Sequence, residues 1–252
     1  MESKNVANLF IRLILRDKNI TLDLIQRAEN TGYQGLIITV DTPIMGKRER
    51  DIRNGFSLAT DLSAANIKHK YLNTVLINEK QSLIKIFTDN LINNALNWDD
   101  VQYIKSKTKL PVILKGITRP VDALKAYNYG MDAIIVSNHG GRQVDGVPST
   151  MELLCGIKKQ LQNKIPILLD GGIRRGTDIL KAIALGADCT LIARPVLWGL
   201  ALNGKSGVDQ VLQMLYAEFY EAMLLCGYSS VAEIKADPEL ICWDYLQQSV
   251  AM

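Results

Sequence analysis

The 252-residue chain has only two histidines and four cysteines. Cys155, Cys189, Cys226 and Cys242 form no C-x-x-C pair, and no histidine stands at ligand spacing from them. Neither a zinc site nor a disulfide framework is expected, and no metal is assigned. Long apolar runs are also absent. No stretch approaches the roughly 20 residues that cross a bilayer. The run at 6–15 is broken by Arg12 and lacks a small-residue cleavage site, so it reads as a strand rather than a signal peptide. Nor is there an excess of one charge: 29 Lys plus Arg face 26 Asp plus Glu, a net of +3, with the basic residues interspersed among acidic ones. That balance excludes a nucleic-acid-binding field and suits a small anionic ligand. Core material is plentiful. With 48% hydrophobic and 22% charged residues the chain is neither disordered nor low-complexity, and its length fits one large domain.

Short apolar runs recur at 9–15, 35–40, 111–114, 133–136, 166–169 and 189–192, nearly continuous in Ile, Val and Leu. Lack of alternation marks strands buried on both faces. Helices are predicted at 121–129 behind Pro120, at 151–162 capped by Thr150, at 178–185 capped by Thr177 and stopped by Gly186, and at 208–226 before Gly227. This α/β rhythm, with strand-to-strand spacings down to about 22 residues, is that of a TIM (β/α)8 barrel. No break in composition divides the chain, so residues 1–252 are read as a single barrel domain. Six units are legible where a closed barrel has eight. The barrel is therefore predicted to be incomplete, with the strands at 9–15 and 189–192 as open sheet edges. Residues 57–97 lack the rhythm and are read as an insertion or loop region, holding a helix at 81–91 or a strand near 71–77.

In such a barrel the active site lies at the C-terminal ends of the strands. The residues found there are polar: Thr39-Val40-Asp41-Thr42-Pro43, Lys115-Gly116, Ser137-Asn138-His139-Gly140-Gly141-Arg142 and Asp170-Gly171-Gly172. Neighbouring strands lie about 4.8 Å apart, which puts Asp41, Lys115 and His139 within roughly 10 Å of one another. A lone histidine is commonly a structural hydrogen-bonder. Placement after a buried strand, with two glycines and Arg142 following, makes His139 a candidate catalyst. Asp41 is either a turn former before Pro43 or the carboxylate that fixes the tautomer of His139. Lys115, at the end of a buried strand, needs an anionic partner, which a nearby carboxylate also satisfies. The other histidine, His69, is read as solvated. The loops 170–177 and 193–195 combine glycine amides, helix N-termini and arginines after the last two strands, the usual phosphate site of this architecture.

The stretches GLIITVDTPI (35–44), GKRERDIRNGF (46–56), LPVILKGI (110–117), AIIVSNHGGRQVDGVPST (133–150) and IPILLDGGIRRGTDILKAIALGAD (165–188) resemble the FMN-dependent (S)-2-hydroxy-acid oxidases and dehydrogenases, the glycolate-oxidase-like family. The resemblance covers nearly the whole chain. SNHGGRQ-x-D combined with DGGIRRG is specific to that family; DGGIR alone is shared with IMP dehydrogenase, whose nucleophilic cysteine after a strand has no counterpart here. The resemblance implies an oxidoreductase that uses FMN to convert a small (S)-2-hydroxy carboxylate to the 2-oxo acid, with O2 as electron acceptor. His139 then corresponds to the catalytic base, paired with Asp41, while Arg142 and Arg48 correspond to the substrate-carboxylate arginines. Thr39, Lys115 and Ser137 correspond to groups on the flavin ring. Asp170, Gly171, Gly172, Ile173, Arg174, Ala193 and Arg194 correspond to the ribityl and phosphate cradle.

The departures from the family pattern are specific. Its third strand carries Gln-x-Tyr where, aligned through Arg16-Asp17-Lys18, this chain has Ile11 and Leu13; Ala193 stands where a glycine is usual. The family's first two strands find no counterpart, so an N-terminally truncated member is expected. These departures keep open the alternative of a catalytically weak or inactive flavin-binding or interaction homologue. No nucleic-acid or membrane partner is expected, whereas open sheet edges favour a homo-oligomer. The family resemblance implies a peroxisomal setting, but Val250-Ala251-Met252 does not match an S-K-L address, which leaves the cytoplasm open.

Overall fold

The computed structural model describes residues 8–56, 66 and 91–241. Six strands, β1 (Leu9–Leu13), β2 (Gly35–Thr39), β3 (Val112–Ile117), β4 (Ala133–Val136), β5 (Ile167–Leu169) and β6 (Cys189–Thr190), pair in parallel in sequence order. Helix α1 (Lys18–Asn30) follows β1, and α2 (Glu49–Arg53) and α3 (Trp98–Lys105) lie between β2 and β3. Helices α4 (Pro120–Asn128), α5 (Thr150–Leu161) and α6 (Gly176–Ala184) follow β3, β4 and β5 in turn; α7 (Arg194–Leu225) and α8 (Val231–Ala236) follow β6. Each crossover helix returns the chain to lay the next strand beside the last, which yields an incomplete (β/α)8 barrel.

Burial on both faces explains the unbroken apolar runs. Leu36, Ile38, Val112, Leu114, Ile134, Val136, Ile167 and Leu169 pack towards the helices, joining Ile104, Leu154, Ile157 and Leu161. Ile37, Ile113, Ala133 and Ile135 form a second cluster on the opposite face. Strands β1 and β6 are the edges, as the pattern predicts, and do not pair with each other. Ile11 on β1 is 54% exposed, and Cys189 on β6 is exposed as well.

Aspartates fix the register at the opposite end of the sheet from the candidate site. Asp132, just before β4, accepts the Val112 amide at 2.6 Å, and Asp188, just before β6, accepts the Ile167 amide at 2.9 Å. Burial works against the charge of Asp188. Lys235 at 2.7 Å and the Ile167 amide outweigh it and hold the carboxyl below its usual range.

Several local features differ from the sequence-based expectation. The predicted strands at 9–15 and 189–192 shorten to β1 and β6. Past β1 the chain turns to meet residues 91–93: Leu15 bridges Ile92 in antiparallel fashion, and the Arg16 amide donates to the Leu91 carbonyl at 2.8 Å. Residues 91–97, grouped with the loop region on sequence, thus pack on the end of β1, with Leu91 and Ile92 buried. Asn97 caps α3 by accepting the Asp99 and Asp100 amides, a signal present in the sequence as Asn-Trp-Asp-Asp. The expectations for 71–77, 81–90 and His69 fall outside the described residues.

Ser149, not Thr150, caps α5, because Glu152 three positions on reaches back to the Ser149 amide at 2.7 Å and completes a capping box. Thr150 is buried and donates to the Gly171 carbonyl at 3.2 Å. Helix α6 starts before Thr177 because the Asp178 carboxylate accepts the Arg174 and Arg175 amides, both at 2.9 Å. Helix α7 begins at Arg194 rather than at 208 and is interrupted by non-helical backbone at Asn203 and Gly204. Among the described residues no helix is long and apolar enough to cross a membrane.

Candidate functional site

The parallel ladder carries the polar residues out of the sheet on one side. Thr39 pairs with Lys115 in the β2–β3 register, and the Val40 amide donates to the Lys115 carbonyl at 2.8 Å. The Ser137 amide donates to Ile117 at 3.3 Å and the Asp170 amide to Val136 at 3.0 Å. Strands β2 to β5 therefore deliver Asp41, Lys115, Ser137 and Asp170 to one rim. A register irregularity between Lys115 and Ile117 falls at Gly116, where φ is +108°. Gly116 is required sterically as well: a Cβ there would lie 2.6 Å from the Asp41 side chain.

His139 lies in the left-handed region at φ 55°, followed by two glycines also at positive φ. A non-glycine residue there is strained and needs surrounding contacts to hold it. The His139 amide donates to Ser137 Oγ at 3.1 Å, the Gly140 amide to Asn138 Oδ1 at 3.0 Å, and Arg194 Nη2 to the Gly140 carbonyl at 3.1 Å. This turn aims the imidazole at Asp41, whose two carboxylate oxygens both lie 3.2 Å from Nδ1. An ionised carboxylate accepts only, so the ring donates from Nδ1, and in the neutral imidazole Nε2 is then the nitrogen that keeps its lone pair. The side chain of His139 is about a third exposed and that of Asp41 is largely covered.

Lys115 Nζ lies 3.0 Å from Asp170 Oδ2 and donates to Ser137 Oγ, also at 3.0 Å. The salt bridge to a nearby carboxylate, which the sequence leaves open as the simpler reading of Lys115, is thus present. It does not exhaust the cluster. Asp170 Oδ1 is buried and has no hydrogen-bond partner among the described residues, and the same holds for Thr42 Oγ1. Such orphaned acceptors are costly unless another group meets them.

Arg48, the residue preceding α2, donates through Nη1 to the Arg142 carbonyl and through Nη2 to Gln143 Oε1. Burial, then the neighbouring positive charge of Arg142, pulls the Arg48 guanidinium below its ordinary pKa; Asp51 offsets this in part. The Arg48 guanidinium is thus held against the backbone of Arg142. Gly171 and Gly172 both adopt positive φ after β5, Ile173 is buried, and Arg174 lies over the Trp198 ring at 5.2 Å. Ala193 precedes the first turn of α7, which Arg194 opens. Cys155 is the wrong kind of thiol for nucleophilic work, since burial pushes it up to about 11.

A model of the FMN-dependent dehydrogenase family matches residues 2–241. This chain belongs to that family. It is 43% identical over 231 residues to a 2-hydroxyacid oxidase of Dictyostelium discoideum, covering 92% of this chain and 58% of that protein. It is 46% identical over 222 residues to an L-lactate oxidase of Nostoc, covering 88% and 60%. A mandelate oxidase solved with (S)-4-hydroxymandelic acid superposes with a TM-score of 0.84 at 41% identity, over 90% of this chain and 63% of that one. The chain spans about three fifths of the length of the curated relatives it matches.

Within the family frame, three side chains at the rim stand out that sequence reasoning did not single out. Gln143 joins the two arginine-bearing loops, although it lies inside the SNHGGRQ motif and was visible there. Asn138 accepts the Gly140 amide, and its own amide donates to Pro148 at 3.4 Å, bracing the histidine turn. Trp198, on α7, stacks under Arg174; no local pattern ties a residue of one helix to a loop 24 positions earlier.

Proposed function

We propose that this chain oxidises a small (S)-2-hydroxy acid to the 2-oxo acid, with FMN as the bound redox group and O2 as final acceptor. The observation that carries this reading is the Asp41-oriented imidazole of His139, on the same loop whose Arg142 carbonyl holds the Arg48 guanidinium. FMN fits the residues present. Asp170 offers a buried unpartnered acceptor, a Cβ at Gly172 would point into open space, Arg174 lies in the same loop, and Arg194 opens α7. When bound, FMN supplies acceptance of two electrons from the substrate carbon.

On this reading Thr39, Lys115 and Ser137 hold the ring, with Lys115 bringing positive charge to its edge. Asp170, Gly171, Gly172, Ile173, Arg174, Ala193 and Arg194 hold the ribityl chain and phosphate. Arg48 and Arg142 fix the substrate carboxylate, while His139 Nε2 removes a proton from the substrate and Asp41 stabilises the resulting imidazolium. A second reading, a flavin-holding homologue of reduced activity, is favoured by Ile11, an apolar side chain half-exposed on β1.

The test is the purified chain loaded with FMN and mixed anaerobically with glycolate, (S)-lactate or (S)-mandelate. Bleaching of the visible flavin band, restored by air with release of peroxide, is the expected result. A yellow protein that no 2-hydroxy acid bleaches supports the second reading, and failure to take up FMN sinks both. Association of chains belongs to the same proposal, because among the described residues no further strand pairs with β1 or β6 on its outer side. Light scattering should give a mass above that of one chain, and Ile11→Lys should lower it; a monomer at every concentration would count against the idea.

A further inference from the structure

Gln143 has no part in the chemistry proposed above, yet its side-chain amide makes four hydrogen bonds to one neighbouring segment. Nε2 donates to the Asp41 carbonyl at 3.0 Å and to the Ile44 carbonyl at 2.9 Å. Oε1 accepts from the Gly46 amide at 3.1 Å and from Arg48 Nη2 at 3.2 Å. The orientation of this amide is determined by its surroundings: two carbonyl oxygens face the NH2 group and two N–H donors face the oxygen, so a flip would break all four bonds. Gly46 allows the close approach, since a Cβ there would stand 3.0 Å from Gln143 Cα and collide with the Arg142 carbonyl.

The bonded segment is the one that matters for the site. It begins at Asp41, the partner of His139, and ends at Arg48, which stands against Arg142. Arg48 and Arg142 repel each other, so without a tether the long Arg48 side chain gains by swinging into solvent. The Arg142 carbonyl and Gln143 Oε1 are the acceptors that hold it.

We infer that Gln143 is a positioning residue for the substrate carboxylate: it locks residues 41–48 to the loop after β4, keeping Arg48 beside Arg142 and Asp41 against His139. This rests on the proposed function, and it assigns Gln143 to the affinity for the acid rather than for FMN, whose proposed phosphate contacts come from the loop after β5 and the start of α7.

Oxalate serves as the probe, because it presents a carboxylate and adjacent oxygens and has no hydrogen to lose. Gln143→Met should weaken oxalate binding by the FMN-loaded chain about tenfold while FMN affinity stays within about twofold. Arg48→Ala should weaken oxalate at least as much. The double variant should bind no worse than Arg48→Ala alone, because a residue that acts through another adds nothing once that other is gone. Without any ligand, the Gly46 amide should exchange with solvent about tenfold faster in Gln143→Met, and Gly46→Ala should mimic the loss of oxalate affinity.

An oxalate affinity indifferent to Gln143→Met overturns the inference. So do losses that multiply in the double variant, or an equal fall in FMN affinity, which marks general loosening. If the unmodified chain binds no oxalate, the carboxylate site and the functional reading fall together, and Gly46 exchange alone then judges the lock.

Discussion

Anaerobic mixing of the FMN-loaded His139→Ala variant with a 2-hydroxy acid is expected to bleach the flavin about 10²- to 10⁴-fold more slowly than the unmodified chain, the range that general-base catalysis supplies. The variant should keep its FMN. His139 reaches the rim on β4, whereas the proposed phosphate contacts come from the loop after β5 and the start of α7. The hydrogen bond that Arg194 makes to this turn goes to the Gly140 carbonyl, a backbone atom that alanine at 139 leaves in place. Asp41→Asn should cost nearly as much as His139→Ala, for a different reason. An asparagine can turn its NH2 towards Nδ1, which moves the imidazole proton to Nε2 and abolishes the base. Stopped-flow absorbance decides the matter. A His139→Ala chain bleached at the unmodified rate means that the proton leaves by another route, and one that loses FMN while Arg174→Ala keeps it means the roles of the two loops are reversed.

The strands were legible because a sheet buried on both faces permits little but Ile, Val, Leu and Ala. Residues 133–136 match β4 residue for residue, and the interior runs around Leu36 and Ile167 lie within one residue of their observed limits, while β3 continues to Ile117, past the expected end at 114. The ends were less legible, since they depend on partners remote in sequence. Leu15 looks like more of the first strand, but it turns away to pair with Ile92, 77 positions on. Caps erred for a related reason. Thr150 and Thr177 are acceptable caps by residue type, yet Glu152 and Asp178 decide the helix starts by reaching back to earlier amides.

At the rim, the sequence marks out residues one strand at a time, and the parallel register then assembles them. Asp41, Lys115, His139 and Asp170 could be collected because each follows an apolar run, and adjacency in sequence order makes adjacency in space. The direction of side chains was not available in that way. That Lys115 is shared between Asp170 and Ser137, that Gly116 makes room for Asp41, and that Gln143 faces the loop after β2 all depend on a local irregularity at Gly116 and on positive φ at His139. Neither feature leaves a periodic trace.

Reduction of the bound flavin by this chain is expected to run about tenfold to hundredfold slower than in the lactate- and mandelate-oxidising relatives, and the cause lies on β1. In the β1–β2 register position 11 pairs with Ile37 and position 13 with Thr39, which in turn pairs with Lys115. Position 13 therefore ends at the rim, in line with two of the residues proposed to hold the flavin ring. Family resemblance places Gln and Tyr at positions 11 and 13, where this chain has Ile11 and Leu13. Ile11 is half-exposed and offers no hydrogen bond. A hydrogen bond to a charged group is worth about 1.5 to 3 kcal/mol, so one such bond absent from the transition state accounts for the expected factor. The decisive comparison is the double variant Ile11→Gln, Leu13→Tyr against the unmodified chain, both FMN-loaded and bleached anaerobically by the same acid. Restoring a bond made only in the transition state should raise the limiting rate by about tenfold or more with little change in the affinity for oxalate. A rate already equal to that of the Nostoc-type lactate oxidase, or a double variant no faster than its parent, would show that these two positions carry no part of the reaction.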